Sequence, residues 1–182
     1  MIFIKSPSEI DKIRASCRII GELLDALGSR IVPGVSTLEL DAFAEDFILS
    51  RGGRPAFKGY TVPGLEPFPG TLCTSLNSGI VHGIPSREAV LREGDIIGID
   101  VGVVKDGYYG DAARSYAVGK ISADAENLLD VTRKSLQLGI SAALPGNRVG
   151  DVSHAIGSYV GRMGYYVADN LTGPGVARAL HD

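Results

Sequence analysis

Asp100 and Asp111 are the two residues of this chain whose type and spacing are best suited to chemistry. Each is the one carboxylate in a strand-like run of apolar or small residues. Two carboxylates that approach each other repel unless a proton or a cation lies between them. Such a pair can also hold two divalent ions about 3.5–4 Å apart, as in two-metal hydrolases. We therefore consider a metal site, with ordinary aspartates near a turn as the alternative.

The element that must position these carboxylates is a β-hairpin. Asp106-Gly107 separates the two runs, and this dipeptide predicts a two-residue turn because both positions tolerate positive φ. With that turn, Lys105 pairs with Tyr108, and Asp100 lies opposite Ala113. Asp111 is then a diagonal neighbour of Asp100 on the same face, at roughly 7–8 Å between Cβ atoms. A different loop length would place the two aspartates on opposite faces.

The 182 residues are enough for one well-packed domain. A net charge of −3 argues against nucleic acid or an anionic membrane as the main partner. We expect no signal peptide and no membrane helix, because the N-terminus lacks a basic region and no apolar run approaches 20 residues. Cys17 and Cys73 lie far apart and form no paired motif, which favours a reducing cytoplasm.

The first part of the chain predicts two capped helices and then a loop and a strand. Ser6-Pro7 and Ser36 begin the helices, and the first helix has an apolar stripe that includes Cys17, for which we predict a core position. Residues 54–71 predict an irregular loop, and residues 72–77 a strand. The aromatic residues of the loop either pack simply or line an apolar pocket beside the hairpin: Phe57, Tyr60, Phe68. His82 follows in a tight turn, where a structural or solvated histidine is the alternative to a functional one.

Two further helices are predicted over residues 122–144 and 149–163, and they repeat the first pair. The apolar side predicted for the earlier of these helices consists of Ala125, Leu128, Leu129, Leu136 and Ile140. Val32-Pro33-Gly34 and Leu144-Pro145-Gly146 are 112 residues apart, and the same shift maps Gly52 onto Gly164. Coincident helix breaks favour a duplication over chance similarity. The first repeat covers about residues 1–119, and the start of a second covers about residues 120–182.

These motifs together resemble the type I methionine aminopeptidases over essentially the whole chain. The residues that carry the resemblance are His82 in Val-His-Gly-Ile-Pro, Asp100 in Gly-Ile-Asp-Val, and Asp111 after Gly110. The resemblance implies a single α+β domain with the pita-bread fold, which has two pseudo-symmetric halves. It also implies removal of the initiator methionine from nascent proteins, at the ribosome, by metal-assisted hydrolysis. Two divalent ions are implied as cofactors (Co, Mn, Fe, Zn or Ni).

The resemblance also implies residue roles. Asp100 and Asp111 correspond to metal ligands, and His82 and His181 to histidines that contact the substrate. The apolar pocket for methionine corresponds to Tyr60, Phe68, Cys73 and Leu180. Pro174 occupies the position of the family's metal-binding histidine, and proline cannot ligate a metal. The two glutamate ligands of the family correspond to positions beyond Asp182, so we expect a C-terminally truncated domain whose second half is incomplete.

From these departures we expect partial or no metal occupancy and weak or absent activity of the chain as given. The alternative function is a non-catalytic, truncated pita-bread module that binds a peptide or a protein partner. A third reading is an ion-binding protein that uses only Asp100 and Asp111. An incomplete second half would also leave an open sheet edge, which predicts self-association.

Overall fold

The computed structural model describes residues 4–168, 171, 173 and 175–180 of the chain. These residues form two compact units. The first unit runs to Ile121 and includes the described residues of the segment 175–180, and the second is Ser122–Gly173. The first unit contains α1 (Pro7–Gly28), α2 (Thr37–Ser50), β1 (Arg54–Pro55), β2 (Leu72–Leu76), β3 (Ile96–Lys105) and β4 (Tyr108–Ala117). The second contains α3 (Ala123–Ala142) and α4 (Val149–Arg162).

Helix α1 begins where the sequence predicts. The side chain of Ser6 accepts a hydrogen bond from the backbone N–H of Glu9, and the Glu9 carboxylate accepts one from the backbone N–H of Ser6. Ser36 and Glu39 form the same reciprocal pair at the start of α2. Each pair satisfies donors that a helix N-terminus otherwise leaves free. Cys17, however, is exposed rather than in the core, because Ser16, Ile19 and Ile20 provide the buried surface of that turn.

Strand β3 is the centre of an antiparallel sheet. It pairs with β4 along its whole length on one side, and with β2 and then β1 on the other. The predicted hairpin is confirmed, since Lys105 pairs with Tyr108 and Asp100 with Ala113. Asp106 and Gly107 both adopt positive φ, at 51° and 77°. The turn therefore has the length that keeps Asp100 and Asp111 on one face.

The two faces of β3 have different roles. Ile97, Ile99, Val101 and Val103 are fully buried and pack with α1 and α2 in the main hydrophobic core. Burying each such side chain contributes about 1.5–3 kcal/mol. The alternate residues of the strand form the opposite face, because side chains alternate across a sheet. That face carries Gly98, Asp100 and Gly102.

In the second unit, α3 packs against α4 through small residues. The buried positions of α3 are Val131, Ser135 and Gly139, and a Cβ on Gly139 would lie 2.7 Å from Cδ1 of Ile156. The apolar side predicted for this helix is therefore not its buried side. Three of its five residues are exposed: Leu128, Leu136 and Ile140.

The sequence repeat is accompanied by a repeat in backbone conformation. Shifting the bounds of α2 by 112 residues gives the bounds of α4. Gly34 and Gly146, which precede these helices, both have φ of 94°. Gly52 and Gly164, which follow them, have φ of 69° and 82°. None of the helices in the described part of the chain is long and apolar enough to cross a membrane.

Candidate metal and substrate site

The hairpin places Asp100 and Asp111 on the face of the sheet opposite α1 and α2. Asp100 lies between Cys73 on β2 and Ala113 on β4, and Asp111 lies opposite Gly102. Both aspartates are half-buried. Because Gly102 is two residues from Asp100, the two carboxylates are diagonal neighbours of one face.

The two carboxylates interact directly. Burial, then the negative charge of Asp111 and a hydrogen bond between the two side chains, together raise the pKa of Asp100 to about 7. A hydrogen bond between two carboxyl groups requires a proton on one of them. Without a cation, the pair therefore retains a proton that separate aspartates would lose.

The donor chemistry fits divalent cations in part. Carboxylate oxygens are suitable ligands for such ions, and a bound cation would replace the retained proton. Among residues 4–168, 171, 173 and 175–180, however, no cluster of three His, Cys, Asp or Glu side chains could hold a metal ion. Asp100 and Asp111 alone could therefore offer such an ion two carboxylate ligands.

The glycines on either side of Asp100 have different surroundings above the strand. A Cβ on Gly98 would meet nothing closer than 3.7 Å, so this position is open. A Cβ on Gly102 would lie 2.6 Å from Cε1 of Phe57, so the phenyl ring rests directly on the strand backbone. Gly102 therefore admits an aromatic ring on the face that carries both carboxylates.

A small apolar cluster surrounds that ring. Phe57, Cys73 and Leu180 are buried together, and Ala56, Phe68 and Tyr109 pack against them. Three of the four predicted pocket residues thus come together: Phe68, Cys73 and Leu180. Tyr60 is 37% exposed, but its N–H donates to the carbonyl of Phe57 and its carbonyl accepts from the N–H of Phe68, at 2.8 and 2.9 Å.

Cys73 contributes to this cluster as a neutral thiol. Burial, and then the charges of Asp100, Asp111 and Asp41, raise the pKa of the thiol to about 12. A thiol that stays protonated is neither a metal ligand nor a nucleophile. Its role is therefore that of a small apolar wall.

His82 lies in an exposed turn beside β2. Its φ is 59°, and the carbonyl of the next residue, Gly83, accepts the Thr74 N–H at 2.7 Å. A Cβ on Gly83 would lie 2.0 Å from the carbonyl oxygen of Thr74, so only glycine permits this approach. The turn is therefore fixed to β2 next to Cys73, the strand partner of Asp100.

The predicted positions Pro174 and His181 lie outside the described residues. Between them, residues 175–180 meet the outer edge of β4 at one point, where the carbonyl of Ala177 accepts the Tyr109 N–H at 2.7 Å. The sequence interpretation missed Tyr109 as a member of the apolar cluster. The signal was present, because the hairpin register places Tyr109 on the same face as Asp111.

Comparison with known proteins identifies relatives along the whole chain. The model of metallopeptidase family M24 matches residues 11–182. Methionine aminopeptidase of Clostridium acetobutylicum and methionine aminopeptidase 1 of Bacillus subtilis are each 44% identical over 182 residues, which cover 100% of this chain and 71% of the relative.

Solved structures agree with the sequence relatives. The methionine aminopeptidase from Thermotoga maritima superposes with a TM-score of 0.95 at 38% identity, covering 100% of this chain and 71% of that one. The prolidase from Pyrococcus furiosus has a TM-score of 0.84 at 22% identity, covering 98% of this chain and 50% of the other, and shows likeness of fold alone. The predicted α+β pita-bread fold is confirmed by these neighbours.

Proposed function

Because this chain belongs to metallopeptidase family M24 and to its methionine aminopeptidases, we propose that it removes the initiator methionine from nascent proteins. The observation that carries the proposal is the hairpin geometry, which places two carboxylates on one face beside a buried apolar cluster. A hydrolytic centre next to an apolar pocket suits cleavage after one apolar side chain at a chain terminus.

In this proposal Asp100 and Asp111 hold divalent ions of the Co, Mn, Fe, Zn or Ni type. Such ions, when bound, lower the pKa of water and polarise carbonyl groups. The chain's own carboxylates would hold the ions, and their half-buried position excludes part of the competing solvent. Pro174 has no donor atom on its side chain, so we propose partial or no occupancy and low turnover.

The apolar cluster receives the methionine side chain. Phe68, Cys73 and Leu180 form its walls, and Tyr60 lies at its exposed edge. A thioether side chain is flexible and apolar, so it can fill an irregular pocket with aromatic walls. His82 and His181 donate hydrogen bonds to the peptide beside the scissile bond and so orient it.

Turnover of a Met-Gly peptide tests the activity directly, with cobalt or manganese added and a Gly-Gly peptide as the control substrate. We expect slow release of methionine by the chain as given and faster release by Pro174→His. Asp100→Ala in either background should abolish it, and hydrolysis that survives this substitution would refute the assigned role of Asp100. Calorimetric titration should show fewer than two ions per chain, and two tightly bound ions would contradict the proposed occupancy.

A second candidate, a module that binds a peptide or a protein partner, is favoured by the outer edge of β4. Alternate residues of an edge strand point their backbone groups outward, and Tyr109 does so towards Ala177. By the same alternation, Ala113 and Ser115 present theirs outward, and residues 112–115 are exposed. Unpaired strand edges are templates for another strand. We propose self-association there, through pairing of two copies.

Light scattering at increasing protein concentration measures this association. Ser115→Pro removes an outward donor and should weaken a dimer while leaving the pairing with β3 intact. A protein that is monomeric at all concentrations would contradict the proposal. We further propose a cytoplasmic location at the ribosome, where initiator methionines emerge, and co-sedimentation with translating ribosomes tests it.

A further inference from the structure

The segment 175–180 is attached to the rest of its unit by a backbone hydrogen bond to β4 and by a buried side chain. The carbonyl of Ala177 accepts the Tyr109 N–H, and Leu180 is buried in the apolar cluster. Between these two residues, Arg178 extends away from the pocket and contacts α1. The segment therefore links the N-terminal helix to one wall of the pocket.

The contact to α1 is a closed network of three side chains. The phenol of Tyr108 donates to Oε1 of Glu9 at 2.9 Å and accepts from Nε of Arg178 at 2.9 Å. Nη2 of Arg178 donates to the same Glu9 oxygen at 3.0 Å. Hydrogen bonds from Ser6, Tyr108 and Arg178 hold the pKa of Glu9 at about 2, so this carboxylate is charged at any physiological pH.

Isolated ion pairs on a surface contribute little, since solvent screens them. This network differs because Tyr108 is buried and belongs to β4, so its position is fixed by the sheet. Tyr108 also directly precedes Tyr109, whose N–H binds the segment. Two adjacent residues of β4 thus attach the segment, one through its side chain and one through its backbone.

We propose that Glu9, Tyr108 and Arg178 form a positioning cluster that holds residues 175–180 against β4 and thereby sets the Leu180 wall of the pocket. As a role in methionine selection, this inference rests on the proposed function. None of the three side chains is a catalytic residue. Their effect passes through the backbone of the segment to Leu180, two residues after Arg178.

Amide exchange of Tyr109 measures the attachment without any substrate. Arg178→Ala should raise its exchange rate about tenfold, because local opening of the segment exposes that N–H. The Gly110 amide, which faces β3, should not change. Arg178→Lys should give an intermediate rate, since lysine keeps the charge but lacks the fork that contacts two acceptors. Arg178 is preferred to Glu9 as the test position because Glu9 also caps α1.

The matched control is Arg114→Ala. Arg114 also joins β4 to α1, through Asp25 at 2.7 Å, but it does not contact the segment. The control should leave the exchange of Tyr109 unchanged. Equal acceleration in both variants would show general loosening of α1 and would overturn the proposal.

The thiol of Cys73 reports on the pocket wall, because it is buried in one cluster with Leu180. In a Cys17→Ser background, which removes the exposed thiol, Arg178→Ala should speed labelling of Cys73 by a disulfide reagent several-fold. Unchanged exchange of Tyr109, or unchanged labelling of Cys73, overturns the inference. Binding of L-methioninamide to the parent chain is measured separately. If the parent chain does not bind it, the proposed function is contradicted, whereas the positioning cluster is still tested by the exchange of Tyr109 and the labelling of Cys73.

Discussion

Gly102 is the position at which one added methyl group should most clearly disturb the packing beside the two carboxylates. Substitution by alanine directs a Cβ into the face that carries Asp100 and Asp111. That Cβ would lie 2.6 Å from Cε1 and 3.0 Å from Cδ1 of Phe57, and 3.0 Å from Cβ of Ala56. The ring must move, and with it the base of the apolar cluster.

The expected cost follows from two opposing effects. Overpacking of a filled site costs about 1–3 kcal/mol. Replacing glycine by alanine returns about 0.4–1 kcal/mol, because the unfolded chain loses freedom. The two ranges leave a net change of about 0–2.6 kcal/mol, and because the approach of 2.6 Å is tight we expect a loss of about 1–2 kcal/mol in the free energy of unfolding. For a chain of this size that corresponds to a fall in Tm of about 2–8 °C.

Gly98→Ala is the matched control, since Gly98 lies on the same strand and face, two residues on the other side of Asp100. Its Cβ would meet nothing closer than 3.7 Å, so we expect unchanged or slightly higher stability. Thermal unfolding followed by circular dichroism compares the two. Replacing the phenyl ring by a smaller side chain, in Phe57→Leu, should reduce the loss of stability caused by Gly102→Ala, as expected for residues in contact. Equal Tm values for the two alanine variants would refute the reasoning.

Three further predictions concern the surroundings of the site. Because the pKa of Asp100 is raised to about 7, the folded protein retains a proton that the unfolded chain releases near pH 4. Without metal, the contribution of Asp100 to the free energy of unfolding should therefore fall as the pH rises from about 4 to 7. Urea titrations of the parent and of Asp100→Asn should diverge in favour of the variant over that range, and parallel curves would contradict the prediction. Asp41→Ala should be strongly destabilising in the same assay, because Oδ1 of Asp41 accepts hydrogen bonds from the buried N–H groups of Thr71 and Leu72. Each donor left without a partner costs about 1–3 kcal/mol. Asp41→Asn keeps an acceptor and should cost less, and the reverse order would be inconsistent with this role. Gly83→Ala should displace the turn that carries His82 and accelerate exchange of the Thr74 amide, and a protected Thr74 amide in this variant would show that the turn tolerates a Cβ.

The hairpin could be predicted from the sequence because its rules are local. A two-residue Asp-Gly turn fixes the register, and the period of two then fixes which side chains share a face. That is why the pairing of Asp100 with Ala113 was predicted correctly. The capped starts of α1 and α2 were predictable for the same reason, since each depends on residues three positions apart.

The walls of the pocket depend on contacts between distant residues. The hairpin register alone places Gly102 on the Asp100 face, but it does not indicate that Phe57 fills the space that this glycine leaves. Arg178 meets Tyr108 across 70 residues of sequence. Leu180 was assigned to the pocket from the family resemblance, because no local sequence pattern places it beside Cys73. Long-range contacts of this kind are set by the packing of the whole unit.

Helix α3 shows why hydrophobic periodicity can identify the wrong face. The pattern gives weight to large apolar side chains, so it selected Leu128, Leu136 and Ile140. The contact with α4 instead requires close approach, which Ser135 and Gly139 permit because their side chains are short or absent. Gly139 thus lets Ile156, which is half-buried, pack directly against the backbone of α3. A helix face that allows close approach carries few large apolar side chains. Hydrophobic periodicity therefore identifies a buried face only where the contact between helices is made by large apolar side chains.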